Sequence, residues 1–317
     1  MSANTISLDK VVDPGIKKHF VDGYKEHKPR LEAVFKIGEQ TSKTDEYQNY
    51  TGIAGFAQVN EGAQYSEDAP IQAYGHSMTA VKFGKMIPVT WELTRWSKVK
   101  DIYDAARMLG KAAAQHVERA GASVINNATN TGYTSYSDGK PLASVLHPSA
   151  DGGATQSNAS ATGIAFGEAN LETGLLALEF QKNDRAELIN TFATQLVIPN
   201  ALRKSALTVL KSTGRAETAD NDTNVYGIQE YYGAIKIVVW PYLSAAAGGS
   251  DTQWMLQDMS TSRLEWQWAD KPAVKRDDSL GFKTDVTYYK GFYVASKGWG
   301  DWRGTWFSLG AGGALAT

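Results

Sequence analysis

The sequence predicts an α+β fold of two lobes organised around one very long helix. Three observations predict it. Across residues 97–129, apolar side chains recur every three or four positions (Val99, Ile102, Tyr103, Ala106, Leu109, Ala113, Val117, Ala120, Val124, Ala128), which is one face of an α-helix. Residues 46–96 before it read as strands. Beyond it, short apolar strands alternate with helical stretches, the pattern of a mixed layered lobe.

Residues 1–45 read as an arm. Asp13-Pro14-Gly15 reads as a turn, and residues 16–35 as a helix interrupted near Pro29, with Phe20, Tyr24, Leu31, Val34 and Phe35 on its apolar side. Residues 10–36 carry seven Lys or Arg against four Asp or Glu, a local excess of positive charge. An amphipathic segment without a core of its own must dock, on its own domain or on a neighbour.

Residues 46–96 form a long two-stranded excursion. Tyr47, Tyr50, Ile53, Phe56 and Val59 lead out, with Gly52 and Gly55 among them; Asn60-Glu61-Gly62-Ala63 and an acidic stretch through Tyr65, Glu67 and Asp68 form its middle; residues 78–90 lead back. An isolated two-stranded ribbon is marginal in water, so this one lies on another surface, its own domain's or a neighbour's. Within it, Gly75-His76-Ser77-Met78-Thr79 approaches the Gly-x-Ser-x-Gly elbow of serine hydrolases, but Thr79 replaces the last glycine and no helix follows.

The long helix has Ser97 as N-cap, Trp96 folding back on the first turn, and Thr129-Asn130-Thr131-Gly132 as its stop. At 1.5 Å per residue it spans about 45–50 Å. Its stripe is small, largely Ala with Gly110 and Gly121, so whatever packs on it comes close. Residues 132–162 are a loop system with a lobe boundary, in which His147, between Leu146 and Pro148, reads as structural. Residues 148–283 then hold helices at 166–182 and 201–212, strands near 195–199, 234–242, 254–257 and 264–268, a polar loop at 215–224 and a flexible tip at 244–252. After a charged turn at 275–278, the aromatic-rich stretch 284–309 returns to pair with strands flanking the long helix.

Composition excludes much chemistry. The chain has 317 residues, a formal charge of −2 and no cysteine, which removes thiol nucleophiles, disulfides, iron–sulfur clusters and cysteine zinc sites. The polar start MSANTISLDK predicts no signal peptide, and no run of 18 apolar residues exists to span a membrane. Five histidines fall in no metal-binding spacing, and there is no phosphate loop and no dinucleotide fingerprint. Asp277 and Asp278, beside Lys275 and Arg276, read as a solvated turn. Nine tryptophans and fifteen tyrosines suit large interfaces as well as cores.

The order of parts (arm, ribbon, long helix, α/β lobe, aromatic return) resembles the major capsid proteins of tailed bacteriophages, with the Hong Kong 97-type fold. The stretch from Asp138-Gly139-Lys140-Pro141-Leu142 through His147-Pro148 to Ser157-Asn158 is similar to the family's loop after its spine helix, particularly in the Mu-like head-subunit branch. Leu196-Val197-Ile198-Pro199-Asn200-Ala201-Leu202 and Val238-Val239-Trp240-Pro241-Tyr242-Leu243 resemble strands of its axial domain. The resemblance implies an N-terminal arm (1–45), peripheral-domain strands with an extended loop at about 58–85 (46–96), a spine helix and following loop (97–147), an axial domain (148–283) and peripheral return strands (284–317). It implies a structural protein, not an enzyme, without cofactor or metal, whose main partner is itself, in hexamers and pentamers of an icosahedral shell around double-stranded DNA. Portal and decoration proteins would be further partners; with the arm starting almost at Met1 and no scaffolding extension before it, a separate scaffold protein, or none, is implied. The place would be the virion, after assembly in the host cytoplasm, with no membrane. Candidate inter-subunit contacts are Phe20, Tyr24, Glu61, Tyr65, Glu67, Asp68, Lys82, Gly248, Gly249 and Asp251. Deleting residues 1–36 should then spare the core and impair assembly. The alternatives are a cellular encapsulating nanocompartment of the same fold, and a hydrolase using Ser77 or a carboxylate pair.

Overall fold

The computed structural model describes residues 9–27, 29–96, 99–212, 224, 235–277 and 286–313. Helix α1 (Asp9–Lys25) and the short α2 (Leu31–Val34) lead into strands β1 (Lys36–Glu39) and β2 (Thr44–Tyr47). After a long loop come β3 (His76–Thr79), β4 (Val81–Thr90), the short α3 (Trp91–Arg95) and the spine helix α4 (Val99–Asn126). Then follow α5 (Glu168–Glu179), β5 (Gln195–Ile198), α6 (Arg203–Lys211), β6 (Lys236–Val239), β7 (Trp254–Gln257), β8 (Leu264–Asp277), β9 (Val286–Trp299) and β10 (Thr305–Ser308).

The spine helix has 28 residues, about 42 Å at the helical rise. Its expected cap Ser97 lies outside the described residues. At its far end Gly132 N donates to Asn130 Oδ1 (2.9 Å), closing the turn the sequence predicts there. The small stripe has a clear use. Helix α1 lies along the first half of α4 so closely that a Cβ on Gly110 would overlap the carbonyl of Phe20, and one on Gly23 would overlap the backbone of Arg107. Glu26 pairs with Arg107 and Lys111 across the same seam. Further along, a Cβ on Gly121 would run into Leu31 and press on the Trp240 ring.

The arm therefore docks at home, and three expectations change. Asp13-Pro14-Gly15 is helix, not turn: Gly15 is there because Tyr103 sits where its Cβ would be. Phe20 is 1% exposed, packed in one cluster with Ile16, Ile102, Ala106, Leu109, Val274 and Tyr289, so in this conformation it offers nothing to a neighbour. Tyr24 is partly buried beside Glu32 and Glu118, and burial first, then those two carboxylates, pushes its hydroxyl up to about 12. Deleting residues 1–36 would open this core; the expectation that the core survives is withdrawn.

Two four-stranded sheets divide the chain. The first has the order β1-β8-β9-β4, with β1 parallel to β8 and the rest antiparallel. The second has the order β10-β7-β5-β6, with β5 and β6 parallel. β2 and β3 pair by themselves. These sheets move the expected lobe boundaries. The return to the first sheet starts with β8 at Leu264, well before residue 284, and β10 crosses into the second sheet. Lys275, Arg276 and Asp277 lie within β8, not in a turn; Asp278 lies outside the described residues. The break that hides β8 in the sequence is Asp270-Lys271-Pro272, where the register to β9 shifts between Trp268 and Ala273, the kind of irregularity that tolerates a strand proline.

The main core lies between the spine helix and the sheets, where Val117, Val124 and Ile125 meet Trp240, Trp266, Trp299 and Trp302. A second core joins α5 and α6 to the second sheet through Leu171, Leu175, Leu178, Leu196, Leu210, Trp254, Leu256 and Trp306. The loop after the spine helix is stitched by a buried constellation: His147 Nδ1 lies 2.7 Å from Asp138 Oδ2, its Nε2 3.2 Å from Asn158 Oδ1, and its ring stacks on Trp302 at 4.4 Å. His147 is structural.

Candidate functional site

The candidate site is a set of surfaces. Its most conspicuous part is the loop between β2 and β3. At its base the Tyr47 and His76 rings stack at 4.7 Å, and Asn49 Nδ2 donates to the carbonyls of Tyr74 (2.9 Å) and Gly300 (3.0 Å). One rung above, Thr51 N donates to Ile71 O and Ala73 N to Asn49 O. Beyond that rung there is no ladder. The outward limb is irregular where residues 46–59 predict a strand, because Gly52 and Gly55 lie against Asn183 and Glu187 of the same chain instead of pairing. Gly62, at φ +77°, supplies the left-handed residue of the tip turn, and Ala63 N bonds to Asn60 O.

All of residues 52–72 are exposed, among them large aromatics: Tyr65 is 78% exposed and the Phe56 side chain is wholly in solvent, with Tyr50, just before the range, 69% exposed. Large aromatics exposed along one loop mark an interaction surface. Glu61, at the tip, and Glu67 are exposed beside them. Asp68 is not free. Its carboxylate accepts from Ala54 N (2.8 Å) and Ala69 N (2.9 Å) and pairs with Arg185 (3.2 Å); Ala54 first, against slight desolvation, and then Arg185 hold it below its ordinary range.

Lys82 lies outside the loop. It sits on β4 opposite Val294, with Nζ 4.9 Å from the centre of the Phe292 ring, and Lys275 Nζ approaches the same ring at 5.1 Å. Lys290 on this face pairs with Asp277. The loop thus closes before residue 76, and the 58–85 expectation shifts to about 48–75. β4 is an edge strand with Val81 and Met86 exposed.

The segment 244–252 is a folded turn, not a flexible tip. Ala245 N donates to Asp251 Oδ1 (3.1 Å), Ser250 N to Leu243 O (2.9 Å), and Gly248 takes φ +89°. Gly248 and Asp251 are exposed, but Gly249 is wedged against Leu243 and Asn126 at the end of the spine helix, so its lack of a side chain serves internal packing. The polar loop 215–224 lies outside the described residues except for Asn224.

The described residues do not assemble the alternative hydrolase site. Ser77 is exposed on β3, its N–H donating to Ser135 O, and no helix follows. His76 is buried with Nε2 3.8 Å from Glu265 Oε2; burial works against the Glu265 charge, but His76, Gln267 and Arg263 hold that carboxyl below its ordinary range. Among the described residues, no group of three His, Asp or Glu could hold a metal, and no helix is long and apolar enough to cross a membrane.

Sequence reasoning missed Arg185, which reaches the loop from the turn at 183–187; the Asn183-Asp184 pair was the available signal. It also missed the exposure of Trp91, Trp96, Phe180 and Phe192, for which an apolar pattern gives no warning.

Residues 75–306 match the model of a family described as phage capsid protein. Comparison with curated proteins finds no match. The fold is similar to that of a virus-like particle from Pyrococcus furiosus (8% identity, TM-score 0.54, covering 92% of this chain and 97% of that one). It is similar to a structure from Mycobacterium phage Bobi (14%, 0.53, 90% and 92%) and to the capsid of cyanophage Pam1 (12%, 0.52, 89% and 87%). At such identities the likeness is one of fold, and that fold is the Hong Kong 97 type. A long exposed loop followed by a spine helix, with two sheets, together with a family match over well over half the chain, leads to one conclusion: the chain belongs to the phage capsid protein family.

Proposed function

We propose that the chain is the major capsid protein of a tailed phage, the subunit that repeats in hexamers and pentamers to build an icosahedral shell around double-stranded DNA. The observation that carries this reading is the loop 52–72, whose Phe56 and Tyr65 side chains lie in water on a chain of this family. Sister copies supply the cover. A ring of identical subunits needs unlike patches to meet, and an outlying loop adds contact area without enlarging the core.

In this reading α4 and the first sheet form the peripheral domain, α5, α6 and the second sheet the axial domain, and residues 48–75 the extended loop. The loop's aromatic and acidic residues, Tyr65, Glu61 and Glu67, complement the face of a neighbour's first sheet, where Lys82 and Lys275 flank Phe292. The similarity of residues 138–158 to the Mu-like head subunits supports that branch. The role is structural, in the virion, after assembly in the host cytoplasm. A net charge of −2 supports contacts to packaged DNA that are few and sequence-independent. Portal, decoration and scaffold proteins complete the set of partners.

Gradient sedimentation and negative-stain microscopy of the expressed chain test the proposal: closed particles or capsomer rings are expected, and a stable monomer at all concentrations contradicts it. The Pyrococcus likeness is compatible with a cellular nanocompartment of the same fold, whereas the family match favours the phage reading. Detection of the chain by mass spectrometry in purified DNA-filled heads separates the two.

A further inference from the structure

We propose that Arg185 is a latch that holds the extended loop against its own subunit until a neighbour takes the loop over; the inference rests on the assembly role given to that loop. Both limbs of the loop rest on one turn, residues 183–187. Gly52 lies against Asn183, and Gly55 lies so close to Glu187 that a Cβ would reach 2.7 Å from its Oε1. Arg185 closes the arrangement. Its Nη2 lies 3.2 Å from Asp68 Oδ1 and donates to Ala69 O at 3.0 Å, while Nη1 lies 3.3 Å from Asp151 Oδ2. Asp68 in turn accepts from Ala54 N across the loop, so one guanidinium ties both limbs.

The two sides of the latch differ in firmness. The turn is built into the body. Asn183 Oδ1 accepts from the N–H groups of Arg185 and Glu187 (2.8 and 3.0 Å), and neighbouring Asp184 is pinned by Arg303 Nη2 at 2.9 Å and by Ala150 N at 3.1 Å. Within the turn Ala186 takes φ +62°, a left-handed backbone that a non-glycine residue adopts at a cost. The loop side, by contrast, has no ladder beyond Thr51 and Ile71. Release is easy for a specific reason: when Asp68 leaves, Arg185 keeps Asp151, so the mostly buried guanidinium is not left without a counter-charge. A single-partner clasp would lack that property.

Hydrogen exchange of the dispersed full-length subunit tests the latch without reference to whether shells form. The readout is the Thr51 and Ala73 amides, which close the loop's last rung. R185A is expected to speed their exchange by about tenfold. D151N, which leaves the Asp68 contact in place, should change it by less than about twofold. Raising salt to about 1 M should speed exchange in the wild-type subunit and leave R185A unchanged, because the pair is partly exposed and screened. Should R185A misfold, R185Q reads the same quantity with a polar, uncharged side chain in its place. Equal exchange in wild type and variant at both salt concentrations overturns the proposal. Failure of the wild-type chain to form shells would instead bear on the capsid reading and leave this measurement standing.

Discussion

The carbonyl of Phe20 rests against Gly110 with no room between them for a methyl group. Two helix backbones in contact explain why the spine helix carries a stripe of Ala and Gly where a globular helix would carry Leu. The arm needs to approach that closely because its own apolar side, Ile16 and Phe20, reaches past the spine to Val274 and Tyr289. Replacing Gly110 by Ala is therefore expected to destabilise the fold by about 1–3 kcal/mol in urea unfolding, as overpacking does. The same variant should speed hydrogen exchange in residues 13–25 while the second sheet stays protected. An unchanged midpoint would mean that the arm helix does not occupy this seam.

Glu118 gives a pH signature. Its Oε1 accepts from the N–H groups of Arg30 (2.7 Å) and Leu31 (3.1 Å), capping α2, while Oε2 has no partner among the described residues. Burial raises its carboxyl above the ordinary value, and the Leu31 and Arg30 amides offset only part of that. A raised folded-state pKa adds stability that is full below the unfolded value of about 4.5 and fades as pH rises through the folded value. E118Q keeps the acceptor and removes the titration. Its stability relative to wild type should improve from pH 4 to pH 8 in chemical denaturation; a constant difference would contradict the assignment.

Asp138 and His147 are each 1% exposed in their side chains. Truncating one partner leaves the other buried without its contact, so D138A is expected to cost about 3–5 kcal/mol. Because His147 stacks on Trp302, the loss should appear in tryptophan fluorescence as well as in the thermal midpoint. A cost under about 1 kcal/mol would mean that water replaces the carboxylate.

Phe56 and Tyr65 should behave in the opposite way. Neither is buried in the subunit, so F56A/Y65A should leave unfolding within about 0.5 kcal/mol of wild type. The same double variant should lose closed particles in sedimentation. Normal shells from it would remove the loop from the assembly interface.

The spine helix was legible because period and length together admit one reading, and its small stripe announced a close neighbour. What that neighbour was did not follow, although Gly15 and Gly23 in the arm were the matching half of the signal. β8 was obscured by Pro272, whose bulge interrupts the alternation that marks a strand. The segment at 244–252 looked loose because Ala, Gly and Ser are also what a tight turn against a helix end requires. The extended loop could be recognised as unsupported, but its hold through Arg185 depends on residues more than a hundred positions apart, which no local pattern encodes.

A cryo-electron microscopy reconstruction of assembled particles would show what covers Phe56 and Tyr65. Both rings are expected to be buried against a sister subunit, with Glu61 and Glu67 near its Lys82 and Lys275. A closed shell in which residues 52–72 stay in solvent, or stay clasped to their own Arg185, would contradict that expectation.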